Sequence, residues 1–164
     1  MAEYRRYLPI AAAVILGIIL QGMLIFADCQ DTPSKTAVEF IKAFYRLDPA
    51  MSELLCKKYI TGEEGPVVEK YLQQVSDEAR KRGFGLNYMK QIVYGIETHT
   101  RMIDDVTAEV NLTANRRISI NPVYTLIARF FLIGKTYQLD KRIPVIKEEG
   151  KWKVCETLSS LSEI

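Results

Sequence analysis

The chain has 164 residues, 48% of them hydrophobic, and its 22 Lys and Arg against 20 Asp and Glu leave a formal charge of +2 at pH 7. Near-balanced charge without an aromatic-interleaved basic stripe argues against a nucleic-acid partner. One histidine and three cysteines, with no CxxC and no His/Cys ligand cluster, argue against a zinc centre, and neither metal nor cofactor is expected.

The chain opens with Arg5 and Arg6, then an uncharged run from Leu8 to Ala27, LPIAAAVILGIILQGMLIFA. As one helix rising about 1.5 Å per residue this run would extend roughly 30 Å, the thickness of a bilayer's hydrocarbon. Pro9 falls in the first turn, where its missing N–H costs nothing. The expectation is a transmembrane helix over residues 8–27, a cytoplasmic tail over 1–7 and an extracytoplasmic domain over 28–164. The basic residues before the run and Asp28 and Asp31 after it set that orientation, placing the protein at the cell inner membrane with its C-terminal domain periplasmic or extracellular. Two other fates stay open. Cleavage as a signal peptide would use Ile25-Phe26-Ala27, which offers one of the two small residues needed, and lipidation at Cys29 would follow Asp28 where a small residue belongs. Within the run Ala13, Gly17 and Gln21, spaced by four, form a stripe against which a second membrane helix would pack.

Thr32-Pro33 has the form of an N-cap followed by proline at the first helical position, and Ala37, Val38, Ile41, Phe44 and Tyr45 follow at helical spacing. Asp48-Pro49 repeats that start for a short second helix carrying Leu54, Leu55, Tyr59 and Ile60. A third helix begins near Glu63 with Val68, Tyr71, Leu72, Val75 and Ala79 on its apolar face. It ends in the basic turn Arg80-Lys81-Arg82, favourable at the negative end of the helix dipole, and at Gly83.

Beyond Gly83 the period becomes two. Ile92, Tyr94, Ile96 and Thr98 share one face of a strand, with Val93, Gly95, Glu97 and His99 on the other. After a turn at Asp104-Asp105, Val106, Ala108, Val110, Leu112 and Ala114 alternate with polar residues, as in an antiparallel strand with one wet face. Val123 to Ile133 is apolar on both faces apart from Arg129 and reads as a central strand. Tyr137 to Lys147 is its partner, and Glu148-Glu149-Gly150-Lys151 turns into a closing strand with Trp152 and Val154 on one face. The fold class is therefore α+β: an N-terminal transmembrane helix, then three helices packed on a curved antiparallel sheet of about five strands. Cys56 and Cys155 are either a disulfide, which an extracytoplasmic location would permit, or two separate buried thiols.

The order of elements resembles the nuclear transport factor 2-like superfamily, in which a curved antiparallel sheet folds around helices to form a cone. The resemblance rests on the opening helix TPSKTAVEFIKAFYRLDPA, running into a second short helix, and on the closing hairpin KEEGKWKVCE, and it covers about Thr32 to Glu156. With the expected tether the chain is also similar to bitopic assembly components of type IV secretion systems. The resemblance implies a cone able to take a small molecule, and in the enzymes of the superfamily an acid, a tyrosine and sometimes a histidine line it.

Those groups do not converge in the sequence. His99 alternates onto the face of Glu97 and Arg101. Arg129 either pairs, buried, with Glu109 or Glu97 and holds an anion, or lays its stem over the sheet and sends its charge to water. Tyr45, Tyr71, Tyr94 and Tyr124 are candidates for a cavity wall or for simple core. No catalytic set is assigned, and enzymatic turnover is not the leading expectation. That expectation is a membrane-anchored accessory or assembly subunit in contact with membrane lipid, docking other membrane-complex subunits or a second copy of itself. The alternatives are a module for a small apolar or lipid-like ligand and an isomerase-like or hydratase-like enzyme using the cone.

Overall fold

The computed structural model describes residues 12–23, 31–62, 65–118 and 136–161. The chain forms two compact units, Met1–Asp31 and Thr32–Ile164.

In the first unit residues 12–23 form a helix, α1, which contains Ala13, Gly17 and Gln21. Among the described residues no helix is long and apolar enough to cross a membrane. This overturns the expected single-pass helix over Leu8 to Ala27 and the inner-membrane location built on that helix. Apolar composition permits a span, but a span also needs one unbroken helix of about 20 residues. Residues 8–11 and 24–27 lie outside the described residues.

The second unit begins with α2 (Pro33–Arg46), started as its sequence requires: the Thr32 hydroxyl accepts from the Lys35 N–H at 3.3 Å and Pro33 occupies the first turn. The helix stops at Leu47, which takes the left-handed conformation at φ 56°. Asp48 then caps a 3-10 turn, Pro49–Leu54, its carboxylate accepting from the Ala50 N–H at 3.0 Å. The expected second helix is thus this turn followed by a four-residue helix, α3 (Lys57–Ile60). Two short strands, β1 (Thr61–Gly62) and β2 (Gly65–Pro66), pair antiparallel before α4 (Val67–Lys81). Pro66 delays α4 by several residues from the expected start near Glu63, because proline disfavours a helical conformation in the residue before it. Gly83 follows the helix at φ +79°, the left-handed position that glycine takes without steric cost.

Three long strands and one short one follow: β3 (Gln91–Met102), β4 (Thr107–Ile118), β5 (Tyr137–Glu148) and the four-residue β6 (Lys151–Val154). They form one antiparallel sheet in the order β3-β4-β5-β6. A short helix, α5 (Leu158–Leu161), ends the described chain. The fold is α+β, and among the described residues the main sheet has four strands, not about five. Thr107–Arg116 of β4 pair directly with Tyr137–Ile146 of β5, so no strand lies between them, and they are the two inner strands of the described sheet. Residues 123–133, expected as the central strand and including Arg129 and Tyr124, lie outside the described residues.

One sheet face carries the core. Ala108, Val110, Leu112 and Ala114 of β4, Leu139, Ile143 and Val145 of β5, and Trp152 and Val154 of β6 are buried beneath Ala37, Phe40, Ile41 and Phe44 of α2. β3 departs from simple alternation. Tyr94 pairs with Asn115 and Glu97 with Thr113, so Gly95 and Ile96 together oppose Ala114, and Gly95 sits at φ +60° in this bulge. The extra residue shifts the inward face from Val93 to Ile96 and Thr98, which turns Tyr94 outward and separates it from the Ile96 face it was expected to share. The β5–β6 hairpin closes through Glu149 and Gly150, both at positive φ, the geometry of a two-residue type I′ turn.

Cys56 and Cys155 are joined by a disulfide with a Cα–Cα distance of 5.3 Å. It fastens the connector after α2 to the end of β6, where the Cys56 N–H also donates to the Val154 carbonyl at 2.9 Å.

Candidate functional site

The feature with the form of a ligand site is a cavity of about 50 Å³ at the end of the sheet where β3 starts and β4 finishes. Phe44 and Tyr45 of α2 and the following Leu47 supply one wall, and Tyr71, Val75 and Glu78 of α4 supply another. Met89, Gln91, Arg116 and Leu161 close it. Residues 71, 75 and 78 share a stripe of α4 because three- and four-residue steps return to one helix face. Left-handed Leu47 turns the chain at the end of α2 and brings its side chain to the same wall.

Aromatic contacts hold these walls. The Phe44 and Tyr71 rings stack at 5.3 Å between centroids, and Phe44 meets Tyr45 edge-on at 5.2 Å. Arg116 lies opposite Val93 of β3 and Tyr137 of β5. Its guanidinium carbon stands 5.5 Å from the ring centres of both Tyr45 and Tyr137, within reach of cation–π attraction. Its Nε is buried without a hydrogen-bond acceptor, a state that costs on the order of 1–3 kcal/mol, and more when the group is charged. The cavity's carboxylate, Glu78, pairs with Arg82 one turn along α4.

Burial pushes the Tyr71 hydroxyl up to about 12, with a smaller contribution from Tyr45. Burial also raises Tyr45, against the lowering influence of the Arg116 charge and hydrogen bond. Both phenols therefore keep their protons at neutral pH. A tyrosine in the unfolded chain ionises near about 10, so between pH 10 and 12 the unfolded state binds fewer protons than the folded one. The stability contributed by Tyr71 is complete below that window and is lost as the pH rises through it. Thermal midpoints are expected to fall from pH 10 to 12, and to fall less steeply in Tyr71→Phe. Parallel curves for the two proteins would remove Tyr71 as the cause.

The residues singled out in the sequence are only partly gathered here. Tyr45 and Tyr71 line the cavity. Tyr94 is 43% exposed and its hydroxyl lies 3.2 Å from the Thr136 hydroxyl. Glu109 forms an ion pair with Arg142 of β5 at 3.7 Å, and His99 is exposed on β3 opposite Asn111. Cys56, Cys155 and Glu148 bring one ligand-type atom each within 4.8 Å of one another, but the disulfide occupies both sulfurs. Of the polar residues lining the cavity, the sequence reading passed over Glu78, Gln91 and Arg116. The inward alternation Ala108, Val110, Leu112, Ala114 reaches residue 116 at its next step, and that continuation was the signal for Arg116.

No family model and no curated protein matches the chain. Among solved structures it is similar to a nuclear transport factor 2-like protein from Campylobacter jejuni, at 12% identity and a TM-score of 0.43, covering 77% of this chain and 99% of that one. It is also similar to a nuclear transport factor 2-like protein of unknown function from Shewanella oneidensis MR-1, at 12% identity and a TM-score of 0.42, covering 75% and 94%. A third, from Xanthomonas campestris and named for a calcium/calmodulin dependent protein kinase II association domain, shows 15% identity and a TM-score of 0.38, covering 71% and 75%. The resemblance to the nuclear transport factor 2-like superfamily rests on the order of elements in the sequence, and the described residues add no membrane-crossing helix to it.

Proposed function

We propose that the Thr32–Ile164 unit is a binding module for a small ligand with an apolar part, taken up between α2, α4 and the β3–β4 end of the sheet. The observation that carries this reading is the cavity itself, a concave apolar and aromatic site with a few polar groups convergent on it. At roughly 10–15 Å³ for each water-sized probe, its volume admits only a few non-hydrogen atoms, so the ligand inserts one end and leaves any longer portion outside. Tyr45, Tyr71 and Gln91 offer hydrogen bonds to the inserted end.

The accessory-subunit reading depended on a membrane tether and loses that support with it. The isomerase-like or hydratase-like reading needs an acid and a base in mutual reach. The cavity offers Glu78, already paired with Arg82, and two tyrosines that hold their protons, which favours binding over turnover.

Heteronuclear NMR of the full chain, titrated with a panel of small apolar, amphipathic and lipid-like compounds, tests the proposal. Saturable shifts at Tyr45, Tyr71 and Gln91 are expected, lost in Leu47→Trp, which puts a larger side chain at a lining position. Shifts that do not saturate, or that map to the outer sheet face around His99 and Asn111, would sink it.

A further inference from the structure

We infer that the inserted end of the ligand is a carboxylate, received by the guanidinium of Arg116. The inference rests on the ligand-binding reading and specifies the chemistry of the same site.

Four observations converge on it. Arg116 continues the inward face of β4 beyond Ala114, so its side chain belongs to the cavity side of the sheet, where it is one of the lining residues. The Tyr45 and Tyr137 rings, each 5.5 Å from the guanidinium carbon, hold the plane of the group. Among the described residues the Arg116 Nε has no acceptor, and the cavity's own carboxylate, Glu78, is engaged by Arg82. Finally, about 50 Å³ suits the three heavy atoms of a carboxylate and one or two carbons behind them.

A guanidinium edge presents two N–H groups in parallel, which matches the two oxygens of a carboxylate and gives a charge-assisted bidentate pair. In a site shielded from water that pair is stronger than on the surface. A neutral amide of the same shape offers one acceptor and a mismatched donor, so it leaves one of the two N–H groups unanswered. The aromatic walls accept flat groups and short aliphatic carbons. The same chemistry is found in a free short-chain acid and in the acid end of a long-chain lipid, and chain length separates these sources.

The test compares acetate, propionate, hexanoate and benzoate with the corresponding amides on the full chain, by NMR titration or calorimetry at constant ionic strength. Each acid is expected to bind at least about tenfold more tightly than its amide. Arg116→Met is expected to abolish that preference, and Arg116→Lys, which keeps charge without the two-pronged edge, to retain only part of it. If Arg116→Met does not fold, the lysine variant and the acid–amide ratio in the unaltered protein decide. Affinity that is flat from acetate to hexanoate supports a free short acid, and affinity that rises with length supports the end of a lipid chain. Acids and amides binding equally, with shifts at Tyr45 and Gln91, would overturn the carboxylate inference while leaving the ligand-binding reading intact. Absence of saturable binding by either set, or by the apolar panel, would overturn both.

Discussion

Replacing both bridged cysteines, as Cys56→Ala with Cys155→Ala, is expected to lower the unfolding free energy by about 4 to 5 kcal/mol. The two residues are 99 apart in sequence, so the bridge closes a loop comprising most of the second unit. In the chain-entropy account such a loop removes much of the freedom of the unfolded chain, and the gain grows with the logarithm of loop length. The local setting adds to the loss. Cys56 is fully buried and follows Leu55, also fully buried, which forms an isolated parallel bridge with Val154. Releasing the bond frees the connector after α2 from the end of β6 at the point where two helical segments meet the sheet. Urea unfolding of the oxidised protein and of the double variant measures the effect, provided the slope is compared along with the midpoint. Coincident curves would show that the bond constrains nothing that the core does not already hold.

Phe40→Ala is expected to cost about 3 to 5 kcal/mol. Phe40 is fully buried on the face of α2 that covers the sheet, and its ring centre lies 6.2 Å from that of Phe44. Truncation loses the transfer free energy of the ring and leaves a void, because the β4 and β5 side chains beneath it stand on a hydrogen-bonded lattice and cannot move up to fill it. The same void lies along the helix from Phe44, which walls the candidate cavity, so ligand affinity should fall along with stability. Phe40→Leu, which keeps most of the volume, should cost clearly less. Equal losses for Ala and Leu would mean that a specific ring contact, rather than filled volume, carries the energy. Denaturant midpoints for the three proteins distinguish these outcomes.

Local signals located most of the elements. Thr32-Pro33 with the apolar face of the first helix gave α2 because capping and helical spacing are properties of neighbouring residues. The alternation from Ala108 to Ala114 gave the buried face of β4 for the same reason, and Glu149-Gly150 marked a hairpin through its turn conformation. The misplaced features depend on partners remote in sequence. Tyr94 was set beside Ile96 by simple alternation, whereas the register of β3 against β4 inserts a residue at Gly95 and reverses the face. Cavity membership was half legible: Tyr45 and Tyr71 are candidates from the sequence, which draws attention to Arg129, inside an apolar run, rather than to Arg116. A charged residue at the end of a strand looks solvated until the helices that cover that end are in place.

The sequence by itself determined where helices and strands alternate, which face of each is apolar, and that a helical segment precedes an antiparallel sheet, since these follow from spacing, caps and turns over a few residues. It also offered an uncharged run at Leu8 to Ala27, and hydropathy alone could not decide whether that run forms one continuous span. Only the tertiary structure decided that β4 and β5 are direct neighbours, that Cys56 meets Cys155, and that Arg116, beside Tyr45 and Tyr137, lines an aromatic cavity. Each of these depends on strand register or on packing between distant segments, where the deciding energies belong to pairs of residues that no local window contains.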